Sequence, residues 1–296
     1  MVSRRAFLLG GAGLGAVAVT GGGGAALVEE DVLPGKVAFD RALGRCGSLP
    51  TPPRTPGVVQ TQTFASRRRG TDVTAVVVLP AGVRSLWHLP VVVAMHGNGG
   101  SAASAAKNLR LDRYLTDAVR TRAVAPFAIV AVDGGPDTYW HRRASGDDPL
   151  GMITEELLPR LRRQGASTDR FGVCGWSMGG YGALLLAETA GAPRVAAAVA
   201  SSPALFPSYG NARRTNPRAF DDAADFARND VFAGLDRLKG VPVRVDCGTS
   251  DPFAPMARRL RRRLRPEGAM GGGCHDGAFW QRHLPDQLTF LGRHLR

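Results

Sequence analysis

Short runs of β-branched and apolar residues recur along the chain at 71–80, 89–95, 127–132, 170–174, 195–200 and 241–246. Each ends in a proline, glycine or polar turn signal, as strands buried on both faces do. Between them lie longer stretches with helical spacing, among them 152–163 and 181–189. Apolar strands alternating with helices predict an α/β fold, a mostly parallel central sheet with helices on both faces. Near the C-terminus, Trp280, Leu284, Leu288 and Leu291 fall on one helical face, which predicts a closing amphipathic helix over 279–295. The run Arg258-Arg259-Leu260-Arg261-Arg262-Arg263-Leu264-Arg265 places two leucines four apart, so it reads as a helix with one buried stripe and arginines in solvent. The proline-rich stretch 50–57 reads as an extended surface lead-in, and no linker or charge break divides 64–296.

Composition adds limits. At 296 residues, 44% hydrophobic and 21% charged, the chain is long and apolar enough to bury a large core without a disulfide scaffold. The net charge of +13 is carried by arginine, since Lys36, Lys107 and Lys239 are the sole lysines. The arginines are scattered and lack an aromatic-interleaved binding pattern, so a nucleic-acid partner is not expected. Residues 1–32 read as an export leader and linker: Arg4-Arg5 stands before a weakly apolar stretch interrupted by eight glycines over 6–28. This resembles a twin-arginine leader and makes a poor membrane span. The expectation is a protein exported to the cell envelope or beyond, with only a transient membrane contact or tether through the leader, and one folded domain over 33–296. Export permits disulfides among Cys46, Cys174, Cys247 and Cys274. Cys174, inside an apolar strand, is expected to be a free buried thiol. Cys247 and Cys274 flank candidate catalytic loops, so a bridge between them is the expected pairing.

In an open α/β sheet the chemistry sits just beyond the carboxyl ends of the strands. After the strand at 170–174 comes Gly175-Trp176-Ser177-Met178-Gly179-Gly180-Tyr181-Gly182 and then an apolar helix. This is G-x-S-x-G in its strand–turn–helix setting, where small residues on both sides let the turn push a serine hydroxyl out of the sheet. A serine needs a base, and the base needs an orienting carboxylate, in the chain order Ser, Asp or Glu, His. Asp251 follows the strand at 241–246 and is preferred to Asp246, which lies within that strand. His275 follows Gly271-Gly272-Gly273-Cys274 and precedes the last helix, and is preferred to His88, His96, His141, His283 and His294. Oxyanion donors are expected from the amides of Asn98, in the His96-Gly97-Asn98-Gly99-Gly100 loop, and of Met178, at the start of the helix. No metal-ligand spacing occurs, and acyl transfer by such a set needs no metal or cofactor.

The strand followed by His96-Gly97, the motif 175–182, Asp251 before Pro252-Phe253, and His275 before Phe279-Trp280 resemble the putative-esterase family of α/β-hydrolases, over roughly 64–296. That family includes the esterase D or S-formylglutathione hydrolase group and the antigen 85 mycolyltransferases. The resemblance implies an α/β-hydrolase fold, Ser177 as nucleophile, Asp251 as acid, His275 as base, and Asn98 and Met178 as oxyanion donors. It implies that the loop with Tyr139 and Trp140 contacts substrate, and Trp176 in the motif is a further candidate for the pocket wall. Ser201-Ser202-Pro203 is expected at the cleft rim. The expected function is an exported serine esterase acting on a small-molecule or lipid ester through an acyl-enzyme. A cell-envelope acyltransferase with the same triad is the first alternative, and a non-catalytic surface binding protein the second.

Overall fold

In the computed structural model, which describes residues 36–295, the alternating pattern builds an eight-stranded sheet. The strands are β1 (Val58–Ser66), β2 (Thr71–Leu79), β3 (Pro90–Met95), β4 (Ala128–Val132), β5 (Ser167–Trp176), β6 (Val195–Ser201), β7 (Val243–Gly248) and β8 (Met270–Gly271), in the order β1-β2-β4-β3-β5-β6-β7-β8. β1 pairs antiparallel with β2, and β2 with β4; every other pairing is parallel. The helices that position the site are α1 (Ala102–Asn108), α2 (Leu111–Arg120), α3 (Met178–Arg194), α4 (Ala254–Leu264) and α5 (Gly277–His294).

β3 and β4 are apolar throughout because both faces are covered. Val91, Val93 and Met95 of β3 join one core layer with β4 Val130 and α3 Leu184, whereas Val92 and Ala94 join the other with Leu115 of α2 and Leu284, Leu288 and Leu291 of α5. Each such aliphatic side chain contributes roughly 1.5–3 kcal/mol when fully buried. The closing helix thus takes its expected face. α1 opens on a capping box in which Ser101 and Ser104 exchange side-chain and backbone hydrogen bonds.

Four local expectations change. β1 was not predicted: its Gln-Thr-Gln-Thr sequence lies on the sheet edge, half in solvent, where no apolar run is needed. The predicted helix at 152–163 contains a wider π turn at Ile153–Leu157, and Pro159, just beyond it, has no N–H to continue regular α pairing. In α4, Leu260 is buried and Leu264 is half-buried against the same core, as the spacing implies, but Arg261 is not a solvated bystander. Its guanidinium donates to the carbonyls of Val245, Glu267 and Gly268 at 2.7–3.0 Å, clasping the segment that leads into β8. The disulfide joins Cys46 to Cys274, not Cys247 to Cys274. Cys247 is fully buried within β7, packed with Ala254 and Ala257, so it faces α4 instead of the glycine-rich loop. Cys174 is a free buried thiol, its pKa pushed up to about 12 by burial.

The leader read at 1–32 lies outside the described residues. Among the described residues, no helix is long and apolar enough to cross a membrane.

One buried carboxylate carries a pH dependence. Glu188 of α3 is 3% exposed; Oε2 accepts from Arg237 Nη2 at 3.2 Å, and Oε1 has no hydrogen-bond partner among the described residues. Burial pushes its pKa up from 4.5 to about 7, against the pull of Arg237. With the folded value raised, the stability contributed by this group is full below about pH 4.5 and lost as pH rises through about 7. Glu188→Gln, which keeps the shape without the charge, is expected to match wild type at pH 4 and to exceed it at pH 8 by on the order of 3 kcal/mol, measured by denaturant unfolding at both pH values.

Candidate active site

Ser177 sits between β5 and α3 with φ 58° and ψ −121°, a left-handed backbone that a non-glycine residue adopts only when its surroundings impose it. The imposition is visible. A Cβ on Gly179 would fall inside the van der Waals radius of the Met95 carbonyl at the end of β3, and one on Gly175 would strike the backbone of Gly179. The turn can therefore close only with glycine two residues before and two after the serine. Ser177 N–H donates to the Ser201 carbonyl at 3.0 Å, and its own carbonyl accepts from Tyr181 and Ala204, so both ends of the elbow are tied.

One predicted partner meets the hydroxyl, and the other meets that partner. His275 Nε2 lies 2.8 Å from Ser177 Oγ, and His275 Nδ1 lies 2.8 Å from Asp251 Oδ2. The carboxylate fixes the tautomer: Nδ1–H donates to Asp251, leaving Nε2 to accept from the serine hydroxyl. Asp251 Oδ1 accepts from the Phe253 N–H at 2.8 Å, which orients a carboxyl group shut off from solvent. His275 stays partly open to the cleft, between the rings of Phe253 and Trp280 at 5.2 and 5.3 Å. The competing Asp246 is engaged elsewhere, taking a bidentate Arg244 at 2.8 and 3.0 Å together with Gln287 and the Ala269 amide.

The oxyanion candidates flank the elbow. A Cβ on Gly97 would stand 3.4 Å from that of Ser177, so the 96–100 loop runs directly against it, and Asn98 lines the cleft. Met178 opens α3, and its N–H is one of the first four amides that no intrahelical acceptor can take. His96 is a loop-building residue and not a second base. Its buried Nε2 accepts from the Gly134 N–H at 3.1 Å, so Nδ1–H donates to the Gly97 carbonyl at 2.9 Å, and burial holds its pKa below the usual histidine value.

The cleft has a volume of about 690 Å³. Tyr139 and Trp176 line it as expected, but Trp140 does not. Trp140 is fully buried beneath the loop, packed where side chains at Gly134 or Gly182 would stand, and its indole N–H donates to the His96 carbonyl at 3.3 Å. It supports the 96–100 loop from below. Ser201 and Ser202 are likewise buried under the elbow and not at the rim. Sequence reasoning missed Asn108, Thr215 and Asn216, which also line the cleft. Asn216 Nδ2 donates to Asn98 Oδ1 at 3.1 Å, and Asn216 Oδ1 accepts from the Arg218 N–H at 3.1 Å. It comes from a loop without apolar periodicity, where no motif could single it out.

Residues 66–291 match the family described as putative esterase. The chain belongs to this family. No curated protein matches the chain significantly. Among solved structures, the chain is similar to a ferulic acid esterase, with 20% identity, TM-score 0.69, and coverage of 82% of this chain and all of that one. It is also similar to the S-formylglutathione hydrolase of Agrobacterium tumefaciens, with 17% identity, TM-score 0.67, and coverage of 84% and 99%. A third is the fluorophosphonate-binding serine hydrolase F of Staphylococcus aureus, with 19% identity, TM-score 0.64, and coverage of 80% and 99%. The fold is the α/β-hydrolase fold that the elbow motif implied.

The putative-esterase elbow should tolerate no methyl group at its tightest point. Gly179→Ala is expected to lower stability by about 3 kcal/mol, at the upper end of overpacking costs, because the obstacle is backbone that cannot rotate away. Thermal unfolding should show a drop of roughly 6–12 °C.

Proposed function

We propose that the protein is an exported serine esterase that hydrolyses a carboxylic ester through an acyl-enzyme. The observation that carries the reading is the unbroken chain Ser177 Oγ, His275 Nε2, His275 Nδ1, Asp251 Oδ2, with both links at 2.8 Å. Ser177 Oγ attacks the ester carbonyl carbon as Nε2 takes its proton, and Asp251 stabilises the imidazolium that forms. The Asn98 and Met178 amides donate to the oxyanion. Collapse of the tetrahedral intermediate breaks the C–O bond to the alcohol, which leaves with the proton from Nε2. Water, deprotonated by the same nitrogen, then attacks the acyl-serine and releases the carboxylic acid.

Export is supported by the Arg4-Arg5 leader pattern and by the disulfide, which belongs in an oxidising compartment. The acyl class is supported by the aromatic walls of the cleft, Tyr139, Trp176, Phe253 and Trp280, which suit a flat acyl group such as that named for the ferulic acid esterase neighbour.

A fluorophosphonate probe should label the wild-type protein and not Ser177→Ala, and turnover of p-nitrophenyl and methyl ferulate esters should fall about 10⁴-fold or more in that variant. Wild-type protein that is folded but neither labelled nor active would overturn the reading. Release of free acid, and not of a new ester, in the presence of added alcohols separates hydrolysis from acyl transfer. Asn216→Ala, which frees the Asn98 side chain, is expected to lower kcat about tenfold, and steady-state kinetics on the preferred ester would show it.

A further inference from the structure

The loop that carries His275 is made of residues that cannot hold it. Gly271, Gly272 and Gly273 precede Cys274, and a Cβ on either of the first two would meet nothing within 4 Å, so the loop has no side-chain packing of its own there. Backbone bonds tie it to the Asp251 loop, with Thr249 N–H donating to the Gly271 carbonyl at 2.8 Å and Ser250 N–H to Gly273 at 3.0 Å. Beyond His275, Asp276 caps α5 through the Phe279 N–H at 3.0 Å. The remaining anchor is Cys274, fully buried and joined to Cys46.

Cys46 comes from a segment that, among the described residues, adds no other buried apolar side chain to the core. Between 39 and 57 it is the one buried apolar residue, and the segment supplies no strand to the sheet. It also precedes the residues that match the family, 66–291. Yet it is fastened twice beside the histidine. Arg282 of α5 donates to the carbonyls of Ser48 at 2.8 Å, Cys46 at 3.0 Å and Gly272 at 3.3 Å, so one guanidinium holds both sides of the disulfide, with its face over the Phe279 ring.

We propose that residues 45–48 form a strap whose disulfide and Arg282 clamp hold His275 in line with Ser177 and Asp251, so that activity follows the oxidation state of Cys46–Cys274. Cys46, Cys274 and Arg282 are positioning residues, and the proposal rests on the serine-esterase reading of the same site. Small displacements of a catalytic base are expensive in rate, whereas the substrate cleft keeps most of its walls. Loss of the strap therefore acts on kcat more than on KM.

The test treats folded wild-type protein with a trialkylphosphine, which takes oxygen from water as the S–S bond is cleaved to two thiols, and compares it with Cys46→Ser and Arg282→Met. Circular dichroism follows the fold throughout. Reduced wild type and Cys46→Ser should each lose at least tenfold in kcat and in fluorophosphonate labelling rate, with KM within threefold. Arg282→Met should show a smaller loss of the same kind. Reoxidation should restore wild type and not Cys46→Ser. Reduced wild type with two titratable new thiols and kcat within twofold would overturn the proposal, as would unfolding of the reduced protein, which would assign the bond to stability alone. If Cys46→Ser does not fold, reduced wild type decides. Oxidised wild type that neither labels nor turns over would fail the esterase reading itself, before the strap is tested.

Discussion

The site depends on one close approach, that of α3 to the end of β3. Gly179 lies against the Met95 and His96 carbonyls so tightly that no side chain fits, and this contact, with the matching one between Gly175 and Gly179, holds Ser177 in its left-handed conformation. The same contact sets the distance between Ser177 and the 96–100 loop. An elbow opened by even one methyl group would therefore move the hydroxyl and the neighbouring amides together. The backbone strain at Ser177, of order 1–3 kcal/mol, is held by the buried strands on either side, β3 and β5, which are paired in parallel register through Met95 and Gly175.

Asp251 and His275 are held by different means. Asp251 and His275 sit beyond β7 and the two-residue β8, at the far edge of the sheet, where little packing is available. What the edge lacks in strand length is supplied by discrete ties. The Thr249 and Ser250 amides cross to the glycine loop, Arg261 clasps the carbonyls before β8, and the disulfide and Arg282 hold the segment after it. Ser177 is thus positioned by the core and His275 by a set of local bonds.

That division explains what the sequence could disclose. The grouping of Ser177, Asp251 and His275 was legible because Ser177 and Asp251 each follow a predicted strand and His275 stands between the glycine run and the last helix, and the innermost strands were legible because burial on both faces leaves an apolar run. β1 was hidden because an edge strand in solvent needs no such run. The disulfide partner was not legible, since pairing depends on which loops the fold brings together and Cys46 is separated from Cys274 by 228 residues. Trp140 and Asn216 were misread or missed for a related reason. Whether an aromatic in a loop faces the cleft or supports it from below, and which distant amide meets Asn98, are decided by tertiary packing alone.

The arginine excess has a structural reading within this architecture. Arg69, Arg113, Arg143, Arg194, Arg261 and Arg282 all donate to backbone carbonyls, several of them to two or three at once. Loop carbonyls outside regular structure need donors, and a planar guanidinium with five N–H groups can satisfy several in one plane where a lysine ammonium is a single flexible point. Two of these clamps, Arg261 and Arg282, act on the segments around His275, and Arg143 holds Arg218 and Ala219 in the stretch that follows Asn216. In these six arginines the charge is turned inward on the chain, and three of them, Arg143, Arg261 and Arg282, fasten segments near the cleft.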